Sequence, residues 1–406
     1  MTKQHLSTSV IENVSRRSLL KGVIATGGLV LFAQFISVRT PRAQAAKKFG
    51  ADGMPHGTVN NPLAFVAIAS DGTVTIVCHR SEMGQGVRTG MPLLVADELE
   101  ADWSRVKVVQ APGDEMKFGN QDTDGSRSTR HFAKPMRECG AAARMMLEGA
   151  AAKRWGVDVS EVEAVNHEVV HKSSGKKIGY GELAADASAM AVPTGEKLRL
   201  KEPSKFRYIG KGGVNIVDGF DITTGRAIYG QDVRLSGMKY AVIARPPVMG
   251  GKVASFDAAA TMKVPGVEKV VEIPAPPSPS VFLPMGGLAV VASNTWAAIK
   301  GREALNITWD AGAHGSYESK SFRAALEETA GKPGVIVRSA GDVDGAMAKA
   351  DKKVAANYYI PHLAHATMEP PSATVRIADG KVECWTSVQS PQAAHDLLAK
   401  TLGVAP

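Results

Sequence analysis

The chain has 406 residues, 44% of them hydrophobic and 22% charged, with 41 Gly and 22 Pro. That composition excludes a disordered chain and a multi-span membrane protein, leaves room for about two to four domains, and predicts many turns between short strands rather than a helix bundle. Of the formal charge of +8, residues 1–45 carry +5, so the remainder is near neutral and gives little electrostatic reason to bind nucleic acid.

The segment Ser15-Arg16-Arg17-Ser18-Leu19-Leu20-Lys21 opens an apolar run from Val23 to Val38, followed by Ala43-Gln44-Ala45. A charged start, a glycine-softened apolar stretch and a small-x-small site have the grammar of an export signal, and the paired arginines resemble the twin-arginine signal of proteins exported folded, commonly with cofactor inserted. Residues 1–45 are therefore expected to be such a signal and the body to be periplasmic. The other reading is a retained membrane anchor, because Leu19 to Val38 is about the length that spans a bilayer.

Beyond the polar stretch Lys47 to Asn61, Phe65–Ala69 and Thr73–Val77 flank Ser70-Asp71-Gly72 and predict a hairpin. Helical spacing follows from Gly90 to Glu100, a strand at Val106–Val109, and a long buried helix over Ala141–Trp155. A second unit starts near Gly219, with strands at Met238–Arg245, Val267–Ile273 and Gly287–Ser293. It has helices at Asp257–Lys263 and Trp296–Leu305 and a Pro-rich loop at Pro274–Pro279. A third begins near Lys353, with strands at Ala355–Ile360 and Val382–Thr386 and a helix at Pro391–Leu402. The fold class expected is α+β, mixed α/β. Cys78, Cys139 and Cys384 include no pair spaced to hold zinc or an iron–sulfur cluster, allow at most one disulfide, and read as small apolar side chains.

Two polar clusters stand out. His79-Arg80-Ser81-Glu82-Met83-Gly84-Gln85-Gly86-Val87-Arg88-Thr89 lies between a strand and a helix. Its glycines, two arginines and following helix N-terminus suit an anion such as a phosphate, although a plain glycine-rich turn has the same pattern. Gln121 to Arg130, with Ser126-Arg127-Ser128, precedes the long helix and reads either as a second anion-holding loop or as an exposed capped loop.

Glu82-Met83-Gly84-Gln85-Gly86 with Thr89 resembles the EMGQG-x-x-T motif of the large molybdopterin-binding subunits of the xanthine oxidase and aldehyde oxidase family. Ser126-Arg127-Ser128 stands where that family has a second cofactor loop, and the early place of the motif resembles the isoquinoline 1-oxidoreductase beta subunits. Thr224 to Val233, Ala244-Arg245-Pro246-Pro247, Pro265-Gly266-Val267 and Thr295-Trp296-Ala297-Ala298 are similar to the a/b hammerhead domain of the family. His365 to Pro371 and Gln389-Ser390-Pro391-Gln392 resemble the start of a further molybdopterin-binding domain, with Leu363 where many members have a glutamine near the metal. His365 and Glu369 read either as an acid–base pair or as structural partners.

The resemblance implies a signal at 1–45, molybdopterin-binding segments at 46–210 and 316–406, and a hammerhead domain at 211–315. It implies cofactor contacts from Gly84, Gln85, Gly86, Thr89, Ser126, Arg127 and Ser128. The cofactor would be molybdopterin, in its cytosine dinucleotide form, with molybdenum. The activity would be hydroxylation of an N-heterocyclic aromatic or an aldehyde with oxygen from water, electrons leaving through a small [2Fe-2S] partner subunit and a cytochrome c as further acceptor. The family's glutamate base and GGGFG-type loop are expected beyond residue 406, so the catalytic residues are unknown and the chain alone is expected to be inactive, as the N-terminal portion of a subunit. A different class of function, an exported solute-binding or scaffold protein without redox cofactor, stays open on the residues alone.

Overall fold

In the computed structural model the described residues are 54, 56–277, 279 and 283–405; the expected export signal at 1–45 lies outside them. Among the described residues no helix is long and apolar enough to cross a membrane. The chain divides into two compact units, one ending at Ile228 and completed by residues from Thr386 onward, the other running from Tyr229 to Trp385.

In the first unit β1 (Val66–Ile68) and β2 (Val74–Cys78) pair antiparallel across the expected turn. Gly72 takes a left-handed φ of 86° there, a conformation costly for any residue with a side chain. β3 (Val106–Gln110) runs parallel to β2. A parallel neighbour requires a crossover, and the helix Val87–Glu98 supplies it. The loop 79–86 therefore leaves the carboxyl end of β2, where α/β crossovers commonly place their ligands.

The long helix spans Arg127–Trp155 and begins well before the expected Ala141. Phe132, Met136, Cys139, Ala143, Met146, Leu147 and Ala150 recur at helical spacing and are all buried, each larger side chain contributing about 1.5–3 kcal/mol. Polar residues and Pro135 hide that stripe in the first turns. Gly140 lets the motif helix and the long helix touch, because a Cβ there would strike the Val95 carbonyl oxygen. Strands β4 (Val162–Val165), β5 (Glu168–His171) and β6 (Lys177–Gly179) form an antiparallel sheet before the helix Tyr180–Ser188, a subdomain with no counterpart among the expected elements. Tyr180, fully buried, donates its hydroxyl to the Leu99 carbonyl at 2.6 Å. The helix Pro391–Leu402, with the expected bounds, belongs to this unit.

The second unit holds β7 (Tyr240–Ala244), β8 (Lys252–Asp257), β9 (Val267–Ile273), β10 (Gly287–Ala292) and β11 (Asn306–Asp310). β10 lies between β7 and β9, and β8 pairs with β11. The expected helix at Asp257–Lys263 is instead the end of β8 and a 3-10 turn at Thr261–Lys263, because pairing with β11 sets the backbone there. The helix Thr295–Glu303 is capped by the Asn294 side chain on the Ala297 N–H. β12 (Ala373–Ala378) and β13 (Lys381–Thr386) form a hairpin. The strand expected at Ala355–Ile360 is irregular, with Tyr358 and Ile360 exposed; its apolar pattern has no strand beside it among the described residues. Cys78 and Cys139 are buried, Cys384 is half-buried, and all three are free thiols. The architecture is mixed α/β, as expected.

Candidate cofactor site

Arg80 joins the two polar loops. It is fully buried, donates from Nε to Ser128 Oγ at 2.9 Å, and uses its other nitrogens on the carbonyls of Asn120 and Asp122. Burial lowers its guanidinium to about 10, against the attraction of Asp122 and Asp124, and it stays charged at neutral pH. The Ser81 N–H adds a bond to Thr123 Oγ1 at 2.9 Å. Two stretches some forty residues apart thus become one surface. The expected use of Arg80 as a charge for a bound anion is corrected: its donors are spent inside the protein.

The same holds for the other expected anion-binding groups of the first loop. Glu82 Oε1 accepts the N–H groups of Gly84 and Gly86, both at 2.8 Å, and Oε2 accepts that of Arg88 at 2.9 Å. The helix N-terminus is therefore not an open cradle, since a protein carboxylate fills it. The Arg88 guanidinium pairs with Asp218 at 2.9 Å. Thr89 is buried, and its hydroxyl accepts the Val217 N–H at 2.9 Å. Thr89 and Arg88 fasten the chain leaving the unit to the motif helix.

Gln85 is exposed and folded back on its own loop, Oε1 accepting the Met83 N–H at 2.6 Å and Nε2 donating to the Ser81 carbonyl at 3.0 Å. An amide carries two donors and two lone pairs, so each end keeps one position for a ligand. Gly84 and Gly86 have φ of 99° and 80°, and Gly125 in the second loop has 46°. A Cβ built on any of the three meets nothing within 4 Å, so the glycines serve backbone shape and leave open space over both loops. Ser126 is exposed and left-handed at the helix N-cap with no side-chain capping bond. Arg127 is held by Asp124 at 3.2 Å and Asp122 at 3.8 Å, and Ser128 is buried against Arg80. The structure thus sorts the expected residues. Gly84, Gln85, Gly86 and Ser126 border open space, whereas Thr89, Arg127 and Ser128 are engaged in the frame.

Residues that the motifs do not include build that frame. Asp97 is fully buried and accepts from Lys201 Nζ at 2.7 Å and from the N–H groups of Arg207, Tyr208 and Ile209. Burial alone would raise its carboxyl, but Lys201 and the Ile209 and Tyr208 amides hold it below the usual range. Glu98, also buried, accepts from Arg137 and the Lys201 N–H. Gln389, far along the chain, donates to the Thr123 carbonyl at 2.6 Å and receives the Thr123 N–H on its own carbonyl at 2.9 Å, while Gln392 accepts the Glu115 N–H at 3.0 Å. The second loop is thereby gripped by the segment before the last helix. A charged Asp-Glu-x-Glu run and two glutamines are signals only once their partners are known.

A cleft of about 410 Å³ in this unit, lined by Arg144, Glu148, Arg199 and Lys201 among others, contains none of the motif residues. Its charges are largely paired, Arg199 with Glu148 at 2.8 Å and Lys201 with Glu100 at 2.5 Å. In the other unit Glu369 accepts the Gly230 N–H at 2.9 Å and His365 is exposed.

Molybdopterin cofactor-binding domains match residues 41–217 and 328–406. The isoquinoline 1-oxidoreductase beta subunit of Brevundimonas diminuta is 31% identical over 98% of this chain and 55% of its own length. A membrane-bound aldehyde dehydrogenase (pyrroloquinoline-quinone) of Gluconacetobacter polyoxogenes is 29% identical over 97% and 50%, and a nicotinate dehydrogenase subunit of Pseudomonas putida 26% over 80% and 27%. The chain spans about half the length of the first two relatives. It belongs to the molybdopterin-binding subunits of the xanthine oxidase family.

Proposed function

We propose that the chain is part of the large subunit of a molybdenum hydroxylase. The whole subunit hydroxylates an N-heterocyclic aromatic compound or an aldehyde, as the names of its relatives suggest, and passes electrons to a small [2Fe-2S] subunit and onward to a cytochrome c. The observation that carries this is the joining, by buried Arg80, of two glycine-bearing loops with open space over both, inside a stretch matched to a molybdopterin cofactor-binding domain. That space and the free positions on Gln85 fit a polar, ring-bearing cofactor.

In this reading Gln85 faces the pterin, in its cytosine dinucleotide form, from the turn that Gly84 and Gly86 shape, and Ser126 approaches it from the second loop. Thr89, Arg127 and Ser128 act behind these contacts, keeping the loops in register. When bound, the cofactor supplies the two-electron oxidation with oxygen from water; this chain's residues bind and orient it. The middle of the chain, 211–315, serves as a hammerhead domain between cofactor-binding segments at 46–210 and 316–406. Residues 1–45 direct folded export to the periplasm by the twin-arginine route, with membrane association if they are retained.

Molybdenum and releasable pterin, measured per polypeptide in the purified full-length subunit, test the proposal. Near-stoichiometric amounts of both are expected. Absence of both overturns it in favour of a solute-binding or scaffold protein.

A further inference from the structure

Three backbone N–H groups, those of Gly84, Gly86 and Arg88, converge on the two oxygens of one side chain, Glu82. The left-handed backbone of Gly84 and Gly86 turns the amides to one side, the geometry that elsewhere makes a binding concavity for anions, and the motif helix adds the positive end of its dipole. Both carboxylate oxygens are used, one by two donors and the other by the third.

We infer that Glu82 is the positioning residue of the cofactor loop, a built-in anion that fills this cradle and makes the loop present its Met83–Gln85 edge, not its amides, to the ligand. The inference rests on the reading of this loop as a cofactor loop. A phosphate of the cofactor cannot occupy the cradle while Glu82 does, because it would meet a like charge and find the donors taken. The loop's polar contact is then left to the exposed Gln85 amide, which is folded back beside Met83, itself 54% exposed. Glutamine at 82 would keep an oxygen for Gly84 and Gly86 but turn an NH2 toward the Arg88 N–H, donor against donor. Aspartate, one methylene shorter, would not span both sets of amides.

The test uses the full-length subunit with Glu82→Ala and Glu82→Gln, read by amide hydrogen exchange at residue resolution and by molybdenum content, with sodium formate or matched sodium chloride added. In Glu82→Ala, exchange at Gly84, Gly86 and Arg88 is expected to quicken by about tenfold or more, as expected for loss of charge-assisted bonds. Molybdenum content falls, and formate, a free carboxylate, restores both. Glu82→Gln is expected to lose protection at Arg88 alone, which keeps the test sharp if the alanine variant folds poorly. Unchanged exchange in both variants, or loss without recovery in formate, overturns the inference. Full cofactor loading of Glu82→Ala in chloride also overturns it, with the cofactor reading intact. If instead the unaltered subunit holds no molybdenum but formate still restores protection, the cofactor reading fails and the role of Glu82 in shaping the loop stands.

Discussion

The Nε of Arg80 donates to the Oγ of Ser128 at 2.9 Å, with both side chains buried. This bond ties the carboxyl end of β2 to the first turn of the long helix, and the same guanidinium takes the carbonyls of Asn120 and Asp122 on the way. A planar group with five donors can hold three acceptors at once.

Arg80→Met should therefore cost roughly 3 kcal/mol or more, because buried acceptors lose their charged donor. Arg80→Lys should fall between, keeping the charge without the fork. Urea unfolding of the three proteins measures this. A loss of under about 0.5 kcal/mol in Arg80→Met, the scale of a surface change, would show that the loops are held by something else.

His79 sits next to that arginine, fully buried between Phe65 and Phe132, with ring centroids 5.2 and 4.4 Å away and both ring nitrogens unpaired. Burial, with the Arg80 charge adding to it, lowers it from 6.5 to about 3. The unfolded chain takes up a proton as pH falls through 6.5 and the folded protein does not until about 3. Its contribution is thus complete above pH 6.5 and is lost toward pH 3, with a slope of at most about 1.4 kcal/mol per pH unit. His79→Phe should flatten the fall in urea midpoint between pH 7 and pH 4.5. Parallel curves for the two proteins would refute this.

Gln389→Ala should loosen the second loop without unfolding the unit, since the backbone bond from the Thr123 N–H to the Gln389 carbonyl survives. The expected cost is about 1 kcal/mol, seen as faster amide exchange around Thr123. Protection unchanged at Thr123 would mean the glutamine side chain contributes nothing there.

At the open edge, Gln85→Ala should lower molybdenum content in the full-length subunit, by an amount matching about 1–3 kcal/mol of binding. Gly84→Val should do more harm, because its φ of 99° is strained for a β-branched residue and the side chain would enter the open space. Gln231→Ala, on an exposed position of the other unit, is the control. Equal occupancy in Gln85→Ala and Gln231→Ala would remove Gln85 from the cofactor site.

For export, Arg16→Lys with Arg17→Lys should leave precursor in the cytoplasm, because paired arginines before a weakly apolar stretch are what the twin-arginine route reads. Fractionation decides, and mature periplasmic protein in normal yield would exclude that route.

Local patterns carry much of the first unit. The β1–β2 hairpin, the motif helix and the helix Pro391–Leu402 are legible because alternation, helical spacing and proline act over a few residues. β8 and β11 are not, because each is a strand by virtue of the other, and the exposed run at Ala355–Ile360 shows the converse, strand-like residues with no strand beside them among the described residues. The motif around Gly84-Gln85-Gly86 is equally plain as a string. Its expected chemistry follows from residue types, and types do not say which partner a charge will choose.

The sequence by itself marked the residues that border open space in the two loops: the glycines, which adopt left-handed dihedrals without strain, and Gln85 and Ser126 between and beside them. Tertiary structure alone decided that Arg80, Arg88, Thr89 and Ser128 spend their polar groups on distant parts of the chain, whereas Glu82 and Arg127 find their partners within their own loops. The physical reason is that a buried charge or donor must find a partner to offset its desolvation, and that partner lies wherever the fold brings one, forty to a hundred and thirty residues away for Arg80, Arg88 and Thr89.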